Sequence, residues 1–461
     1  MRISGNLKEE KRRFAAVFDR KHNFDLQERD LLIGGRDAVL YFVTGLTKDN
    51  ILERIVDSLL KLRPKDVTDT QDFMASCVPH CAAVLEQEED AIITAVLSGL
   101  TVVLVDEFAE AVVMDLREYP QRATSEPARD KVLRGSRDGF TETMVLNCAL
   151  IRRRIRDPRL RVEYLTAGRC SKTDLALCWM EGRADPKLLE DVRRRIKSSD
   201  LDSLTMNQES MTSLLTGKTR WNPFPKYKFT ERPDTASAQI LEGDLAILVD
   251  NSPSAIILPA TLFAISEDAN DYYFPPMTGA YLRMTRLFVM LLTLVMTPLW
   301  LLALRYPQNV PQMFHFILLD ETPYLHPAIQ LLILEFIIDG LKLSSLSTPE
   351  TLTTSFSIIG AIVFGNFAVD SGWFCSDTLL YMSFVAMANY SQPGYELGYA
   401  IKYMRILSVI LTALFGAWGF AAGMAVTLFL ILSTKSPGTK GYFWPIIPFS
   451  AKGFKKLLFR L

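Results

Sequence analysis

Residues 287–304 read LFVMLLTLVMTPLWLLAL and contain no charged side chain. As an α-helix, this stretch would be about 27 Å long, which is close to the thickness of the hydrocarbon core of a bilayer. Pro298 lies inside the stretch, and a membrane helix tolerates such a proline because neighbouring helices satisfy the freed backbone groups. The stretch therefore predicts a membrane-spanning helix, and it marks the point at which the chain changes character.

The sequence on the two sides of this stretch differs in composition. The 461 residues carry a net charge of −1, and 22% of them are charged. Charged residues are frequent up to about Arg286, whereas uncharged stretches dominate after it. Such asymmetry argues against a single soluble globule. We expect an α/β cytoplasmic N-terminal region of two small subdomains, followed by an all-α polytopic membrane domain of four to five helices.

Further apolar stretches follow the first one. Three of them carry no charge, namely residues 352–369, 378–395 and 406–434. A fourth stretch, residues 325–343, is apolar but contains Glu335, Asp339 and Lys342. Ionisable groups at membrane depth usually face protein, water or the headgroups. This segment is therefore expected either to span near the interior of the bundle or to lie partly in the interface.

Charges beside the predicted spans indicate the orientation. The charged start of the chain, Met1–Arg13, does not resemble a signal peptide, and Arg283 and Arg286 precede the first span. Both features favour a cytoplasmic N-terminal region. Five crossings would place the C-terminal tail outside, although the tail is basic. Either residues 325–343 do not cross, or residues 406–434 bend back at their glycines. The tail charges suit anionic lipid headgroups as well as simple solubility.

Periodicity and turn residues divide the chain into four parts. The expected parts are a first α/β subdomain (1–120), a second α/β subdomain (130–270), a transmembrane helical domain (283–434) and a basic tail (435–461). We expect residues 1–35 to be mostly helical. Strands are predicted for residues 36–45, 101–106, 109–116, 161–168, 174–182, 244–249 and 255–258. Helices are predicted for residues 50–62, 91–100, 139–156, 186–197 and 233–241.

The motifs of common enzyme classes are absent from the sequence. It contains no GxxxxGK[ST], no GxGxxG after a strand and no HExxH. The run Cys77-Val-Pro-His-Cys81 has too few ligands for a closed zinc site, and the six cysteines suit free thiols in a reducing compartment. The basic run Arg152–Arg156 fits the end of a helix better than a nucleic-acid interface, because aromatic residues are not interleaved. We therefore expect no enzyme activity, metal, cofactor or nucleic-acid partner.

Several motifs resemble those of the GerA family, the A subunits of bacterial spore germination receptors. They are RGSRDGFTE (134–142), LIRRRIRDP (150–158), ERPD (231–234), LEGDLAILVD (241–250) with Ser252-Pro253, IIGAIVFG (358–365) and YEL (395–397). The family usually has proline in place of Ser136, and Pro-Ser where this chain has Pro393-Gly394. These departures, and the short hydrophilic tail, look closer to the SpoVAF-like branch of the family.

The resemblance implies a multi-pass protein of the spore inner membrane whose N-terminal domain is cytoplasmic or core-facing. It also implies a homo-oligomer, other germination membrane subunits as partners, and a gated ion channel that releases cations early in germination. Two alternatives remain open. A transporter would use Glu335, Asp339 and Glu396 as coupling or substrate groups, and a non-conducting scaffold would cluster its partners. Internal repeats, which are common in transporters, are not visible between the membrane segments.

Residues 352–369 are predicted to line a pore. One helix face is polar at both ends and apolar in the middle, a pattern that gates a channel by dewetting. Its residues are Ser355, Ile359, Ile362 and Asn366, with Val363 in place of Ile362 if the helix is rotated. A second face has small residues for helix packing, namely Ser357, Ala361 and Gly365. The alternative is an ordinary lipid-packed helix whose polar side chains bond to neighbouring backbones.

Glu396 lies at a predicted boundary rather than inside a span. It follows Gln-Pro-Gly-Tyr and precedes Lys402 by six residues. A carboxylate near the start of a helix stabilises the helix dipole. We therefore expect Glu396 to order a corner of the chain rather than to bind an ion.

Overall fold

The computed structural model describes residues 1–120, 135–198, 202–216, 221–319, 323–347, 368–438 and 441–459. The chain forms two compact units. The first contains Met1–Lys218 and Tyr227–Ala260, and the second contains Thr219–Lys226 and Thr261–Leu461.

The first subdomain of the first unit is an antiparallel sheet with helices on both faces. Its elements are α1 (Leu7–Phe18), β1 (Leu26–Ile33), β2 (Arg36–Val43), α2 (Asp49–Leu60), α3 (Thr70–Cys77), β3 (Ala83–Glu86), α4 (Glu89–Leu97), β4 (Thr101–Val105) and β5 (Ala111–Met114). The strand order is β1-β2-β4-β5-β3. Alternate residues of β2 enter opposite cores, since Val39 and Tyr41 lie in one cluster and Leu40 lies in the other.

The second subdomain is built in the same way. Its elements are α5 (Met144–Arg154), β6 (Leu160–Ala167), β7 (Thr173–Met180), α6 (Pro186–Lys197), α7 (Asn207–Thr216), β8 (Lys228–Thr230), α8 (Pro233–Glu242), β9 (Leu245–Val249) and β10 (Ala255–Leu258). The strand order is β6-β7-β9-β10-β8. The two predicted α/β subdomains are therefore confirmed, and every predicted strand of both is present.

The two subdomains share one element order and one strand order, and their sequences repeat. Residues 97–114 read LSGLTVVLVDEFAEAVVM, and residues 241–258, 144 positions further on, read LEGDLAILVDNSPSAIIL. The copies align without a gap and share Leu, Gly, Leu-Val-Asp and Ala at equivalent places. The first unit thus contains an internal duplication that the sequence analysis did not find.

The aspartate of the shared Leu-Val-Asp makes the same contact in both copies. The Asp106 carboxylate accepts a hydrogen bond from the Leu7 amide at 3.1 Å, at the start of α1. The Asp250 carboxylate accepts one from the Met144 amide at 3.1 Å, at the start of α5. A carboxylate satisfies a free amide and stabilises the helix dipole at such a position. In each copy this motif therefore fixes the leading helix to the sheet.

A buried ion pair joins the two subdomains. The Arg152 guanidinium, in the last turn of α5, donates to the Asp25 carboxylate at 2.8 and 3.0 Å and to the Asn23 side-chain oxygen at 2.9 Å. The Arg152 and Asp25 side chains are 0% and 1% exposed. The Asn23 oxygen also accepts from the Val162 amide of β6 at 3.1 Å. The predicted placement of the basic run at a helix end is correct, but Arg152 also connects two domains.

The expectation that residues 1–35 are mostly helical is wrong beyond α1. Residues Leu26–Ile33 form a strand that pairs with β2 along its whole length. Gly34 and Gly35 have φ of +55° and +79°, as a two-residue hairpin turn requires at both positions. The strand lies at the edge of the sheet, and its exposed charged residues hide the alternation that marks a half-buried strand.

The second unit is helical. Its elements are α9 (Leu262–Ile265), α10 (Asn270–Tyr273), α11 (Pro276–Arg305), α12 (Pro327–Ser347), α13 (Ala368–Asp370), α14 (Ser376–Tyr390), α15 (Tyr395–Phe415), α16 (Ala417–Ser433) and α17 (Ala451–Phe459). Its core packs Trp300 of α11 with Leu331 and Leu334 of α12, Val385 of α14 and Val409 of α15. Among the described residues, α11 and α15 are long and apolar enough to cross a membrane, and α16 is a shorter apolar helix.

Residues 406–434 do not form one long helix. Gly416 separates α15 from α16 with φ +61° and ψ −132°, a region that essentially only glycine adopts. A Cβ at Gly419 would lie 1.8 Å from the Leu411 carbonyl oxygen, so α15 and α16 pack at backbone contact. The alternative in which this segment bends back at its glycines is therefore confirmed.

Residues 1–260 should fold without the helical unit, because both sheets and their cores lie within them. The isolated fragment is expected to give an α/β circular dichroism spectrum and one cooperative urea transition. A spectrum of an unfolded chain from a soluble, undegraded fragment would contradict this expectation.

Replacing Arg152 by alanine in that fragment should lower the free energy of unfolding by about 3–5 kcal/mol, because Asp25 is left buried without a counter-charge. Arg159→Ala is the matched control, since Arg159 pairs with Asp157 at the surface and should change stability little. Urea denaturation of both variants measures the difference. Equal effects of the two substitutions would show that the buried pair does not hold the subdomains together.

Candidate functional site

Four charged side chains meet between two apolar helices of the second unit. Glu335 and Asp339 lie one turn apart on α12, and Lys402 and Arg405 lie one turn apart on α15. The Arg405 Nε atom lies 2.6 Å from Glu335 Oε1. The Lys402 Nζ atom lies 3.2 Å from Glu335 Oε2 and 2.5 Å from Asp339 Oδ2. We call these four residues the charge cluster.

Most of the charge cluster is shielded from solvent. The Arg405 side chain is 0% exposed, those of Glu335 and Lys402 are 6% exposed, and that of Asp339 is 35% exposed. Buried charges are stable only when they are paired, and removing one partner leaves the other uncompensated. The charge cluster therefore fixes α12 against α15 while keeping its own net charge at zero.

A polar face continues from the charge cluster along α15. Ser408 and Thr412 follow Arg405 at helical spacing, and both are buried. Within the described ranges, the hydroxyls of Ser408 and Thr412 and both terminal nitrogens of Arg405 have no hydrogen-bond partner. Buried polar groups are normally satisfied by ordered water or by another polar group. Ser408 lies against Gly423 of α16, where a Cβ would be 2.6 Å from the Ser408 hydroxyl oxygen, so this face of α15 packs on the neighbouring helix.

A small cavity opens beside the charge cluster. Its volume is about 20 Å³, and Asp339, Lys342, Asn389 and Lys402 are among its lining residues. A cavity of this size with several polar groups can hold one water molecule. The Lys342 ammonium also lies 4.6 Å from the centre of the Tyr399 ring, at cation–π distance. The cavity thus offers room for one water molecule in contact with two members of the cluster.

The structure locates the three predicted acidic residues. Glu335 and Asp339 belong to the charge cluster. Glu396 is exposed in the first turn of α15, after the N-cap Gly394. This position suits the predicted role in ordering a corner of the chain.

The predicted pore-lining and packing residues lie outside the described residues. They are Ser355, Ile359, Ile362, Val363 and Asn366, and Ser357, Ala361 and Gly365.

Lys402 and Arg405 were not predicted as site residues. Two cations three residues apart, inside a helix that is otherwise apolar, are a signal that buried acids lie opposite. Residues 325–343 supplied those acids, so the pairing of the two segments could have been predicted.

Three of the motifs in the first unit are hydrogen-bonded to one another. The Arg154 Nη2 atom donates to the Ser136 hydroxyl at 2.9 Å and to the Asp138 carboxylate at 3.1 Å. The buried Arg232 guanidinium donates to the Ser136 carbonyl and to the Asp234 carboxylate, both at 2.6 Å. These motifs therefore maintain the fold of the second subdomain.

The run Cys77–Cys81 has structural contacts instead of metal-ligand geometry. The Cys77 thiol donates to the Asp66 carbonyl at 3.1 Å, and the His80 Nε2 atom lies 2.9 Å from the Asp115 carbonyl oxygen. In the part of the chain that the structure describes, no three His, Cys, Asp or Glu side chains are grouped for a metal ion.

Comparison with known proteins agrees with the motifs. The family model described as Bacillus/Clostridium GerA spore germination protein matches residues 13–461. Stage V sporulation protein AF of Bacillus subtilis (strain 168) is 36% identical over 440 residues, which are 95% of this chain and 89% of that protein. Spore germination protein KA of the same organism is 28% identical over 445 residues, 95% of this chain and 81% of that protein.

One solved structure is also similar, the N-terminal domain of the A subunit of the Bacillus megaterium spore germinant receptor GerK3. It is 24% identical in sequence with a TM-score of 0.43, and the match covers 57% of this chain and 98% of the GerK3 chain. The sequence matches alone carry the assignment, and they confirm the predicted resemblance, including the SpoVAF-like branch. This chain belongs to the GerA family of spore germination proteins.

Proposed function

We propose that this protein is a membrane subunit of a spore germination complex and forms an oligomeric, gated ion channel that releases cations early in germination. Its site of action is the spore inner membrane, with the N-terminal unit cytoplasmic or core-facing and with other germination membrane subunits as partners. Family membership supports the role in germination. The lengths and hydropathies of α11 and α15 support the membrane location.

The charge cluster and the cavity beside it together are the observation that carries the channel proposal. A channel needs helices that are held rigidly in an apolar medium and that also tolerate water. The charge cluster supplies the first property, because Arg405 and Lys402 hold Glu335 from the facing helix. The cavity beside the charge cluster, which has room for one water molecule, supplies the second.

The same geometry makes a transporter a weaker explanation. A coupling carboxylate must bind and release an ion or a proton during each cycle. Glu335 forms buried ion pairs with Lys402 and Arg405. Protonating Glu335, or moving it away to bind an ion, would leave the Arg405 charge without a partner. We therefore assign Glu335 and Asp339 to holding α12 against α15 rather than to transport.

Conductance in planar bilayers decides between a channel and a non-conducting scaffold. The purified full-length chain is reconstituted alone and together with its germination partners. Cation conductance above that of protein-free bilayers is expected in at least one of the two preparations. A correctly assembled complex that gives no conductance under any stimulus would support the scaffold.

Ile362→Ser should make the channel leak, because a polar residue at the proposed constriction keeps it hydrated. Val363→Ser is the equivalent change if the helix is rotated. Phe364→Ser in the same segment is the matched control, since helical spacing places Phe364 opposite the proposed pore face. Basal conductance without stimulus should rise for Ile362→Ser or Val363→Ser and stay unchanged for Phe364→Ser. No change from either pore variant in an assembled complex would exclude this helix as the gate.

Arg405→Leu should lower the stability of the helical unit by about 3–5 kcal/mol, because Glu335 loses its closest partner inside an apolar core. The double variant Glu335→Leu/Arg405→Leu should recover part of the loss, since Lys402 still pairs with Asp339. Thermal unfolding of the full chain in detergent measures both, with exposed Asp370→Asn as control. A double variant at least as unstable as the sum of its two single variants would show that the pair is not coupled.

A further inference from the structure

The C-terminal tail has charge of one sign only. Residues 435–461 contain no Asp or Glu. Their basic residues are Lys435, Lys440, Lys452, Lys455, Lys456 and Arg460. Aromatic residues are interleaved with them, among them Trp444, Phe449 and Phe454. Basic side chains combined with aromatic ones are typical of segments that lie at a bilayer surface.

The described part of the tail, residues 441–459, folds back on itself. The Trp444 ring packs against Gly453 of α17, where a Cβ would lie 2.5 Å from the ring. The Phe449 and Phe454 rings are 6.2 Å apart, and the Ser450 hydroxyl accepts a hydrogen bond from the Gly453 amide at 3.2 Å. The turn and α17 therefore form one small folded element.

This element exposes apolar and basic side chains together. Phe449 is 72% exposed and Ile447 is 48% exposed. Lys452 and Lys455 of α17 are also exposed. An exposed aromatic ring next to two lysines suits the surface of an anionic bilayer. There the ring can contact the acyl chains while the lysines contact the headgroups.

The element lies at the level where the proposed first span begins. The Arg283 Nη1 atom of α11 donates to the Leu457 carbonyl of α17 at 2.5 Å. Arg283 precedes the uncharged residues 287–304 by four positions. The first turns of α11 carry an exposed apolar stripe of Met277, Tyr281, Met284 and Phe288. The tail therefore sits beside the end of a span, at headgroup depth, and not at the middle of the bundle.

We propose that residues 441–459 are an interfacial anchor that binds the headgroups of anionic phospholipids through Lys452 and Lys455 while Phe449 and Ile447 enter the acyl boundary. This inference rests on the proposed membrane location. Charge complementarity selects anionic lipid as the occupant, because interfaces between proteins are depleted in lysine, whereas lysines beside exposed aromatic side chains are typical of an anionic membrane surface.

Lipid binding to the full-length chain in detergent tests the proposal. Native mass spectrometry counts phosphatidylglycerol or phosphatidylcholine molecules retained by the wild type and by Lys452→Gln/Lys455→Gln. Each lysine near an anionic surface contributes about a fivefold gain in affinity, so the double variant should bind phosphatidylglycerol up to about 25-fold more weakly. Phosphatidylcholine binding should not change. The matched control, Lys65→Gln/Lys187→Gln, neutralises two exposed lysines of the first unit and should retain the preference.

The outcomes separate this inference from the proposed function. The proposal is supported if only the tail variant loses the phosphatidylglycerol preference while its melting temperature in detergent stays that of the wild type. It is overturned if the tail variant keeps the same phosphatidylglycerol preference as the control variant, even when the wild type conducts ions. A second variant, Phe449→Ser, should weaken retention of both lipids without affecting the charge preference. Unchanged retention in that variant would contradict the insertion of Phe449.

Discussion

A buried arginine must have a carboxylate partner, and both units of this protein are organised around that constraint. In the first unit, Arg152 brings Asp25 and Asn23 to the end of α5 and so joins two sheets that each have their own core. In the second unit, Arg405 brings Glu335 of α12 to the middle of α15. Apolar side chains could pack in many relative positions of the two subdomains, or of α12 and α15. The ion pair forms in only a few of those positions. The specificity of the arrangement thus comes from the buried charges.

Much of the fold could be predicted from local pattern. Strands such as β4, β9 and β10 are short runs of Val, Ile, Leu and Ala next to turn residues, and they are buried on both faces. The elements of the first unit that were missed, β1, α3, β3, α7 and β8, are short or carry exposed polar residues, so their stability comes from tertiary pairing.

The charge cluster was half predicted. Glu335 and Asp339 were visible as acids in an apolar segment, but their partners lie 63–70 positions later in the sequence, and no local pattern connects them.

The internal duplication explains why some family motifs have the form they do. The Leu-Val-Asp of residues 248–250 looks like a motif of the second subdomain, yet residues 104–106 repeat it in the first. Each aspartate satisfies the amide at the start of the helix that leads its own subdomain. Both subdomains therefore need a carboxylate at the start of their leading helix, and the Leu-Val-Asp motif serves the fold rather than binding. The elements that differ between the copies, such as Arg152 of α5, are the ones that connect the subdomains.

The turn at Gly416 bears on the conflict between the predicted number of spans and the charge of the tail. Because the chain turns back at Gly416, α15 and α16 form a hairpin, and α16 ends where the Asn222 side chain donates to the Leu430 carbonyl at 3.1 Å. The Arg283–Leu457 contact places the tail at the end of the helical unit where α11 begins. An odd number of crossings between Arg283 and the tail would separate these groups by the thickness of a bilayer. The proposed membrane location therefore predicts an even number of crossings, with Arg283, Arg286 and the basic tail on the same side, as the distribution of positive charge in membrane proteins favours.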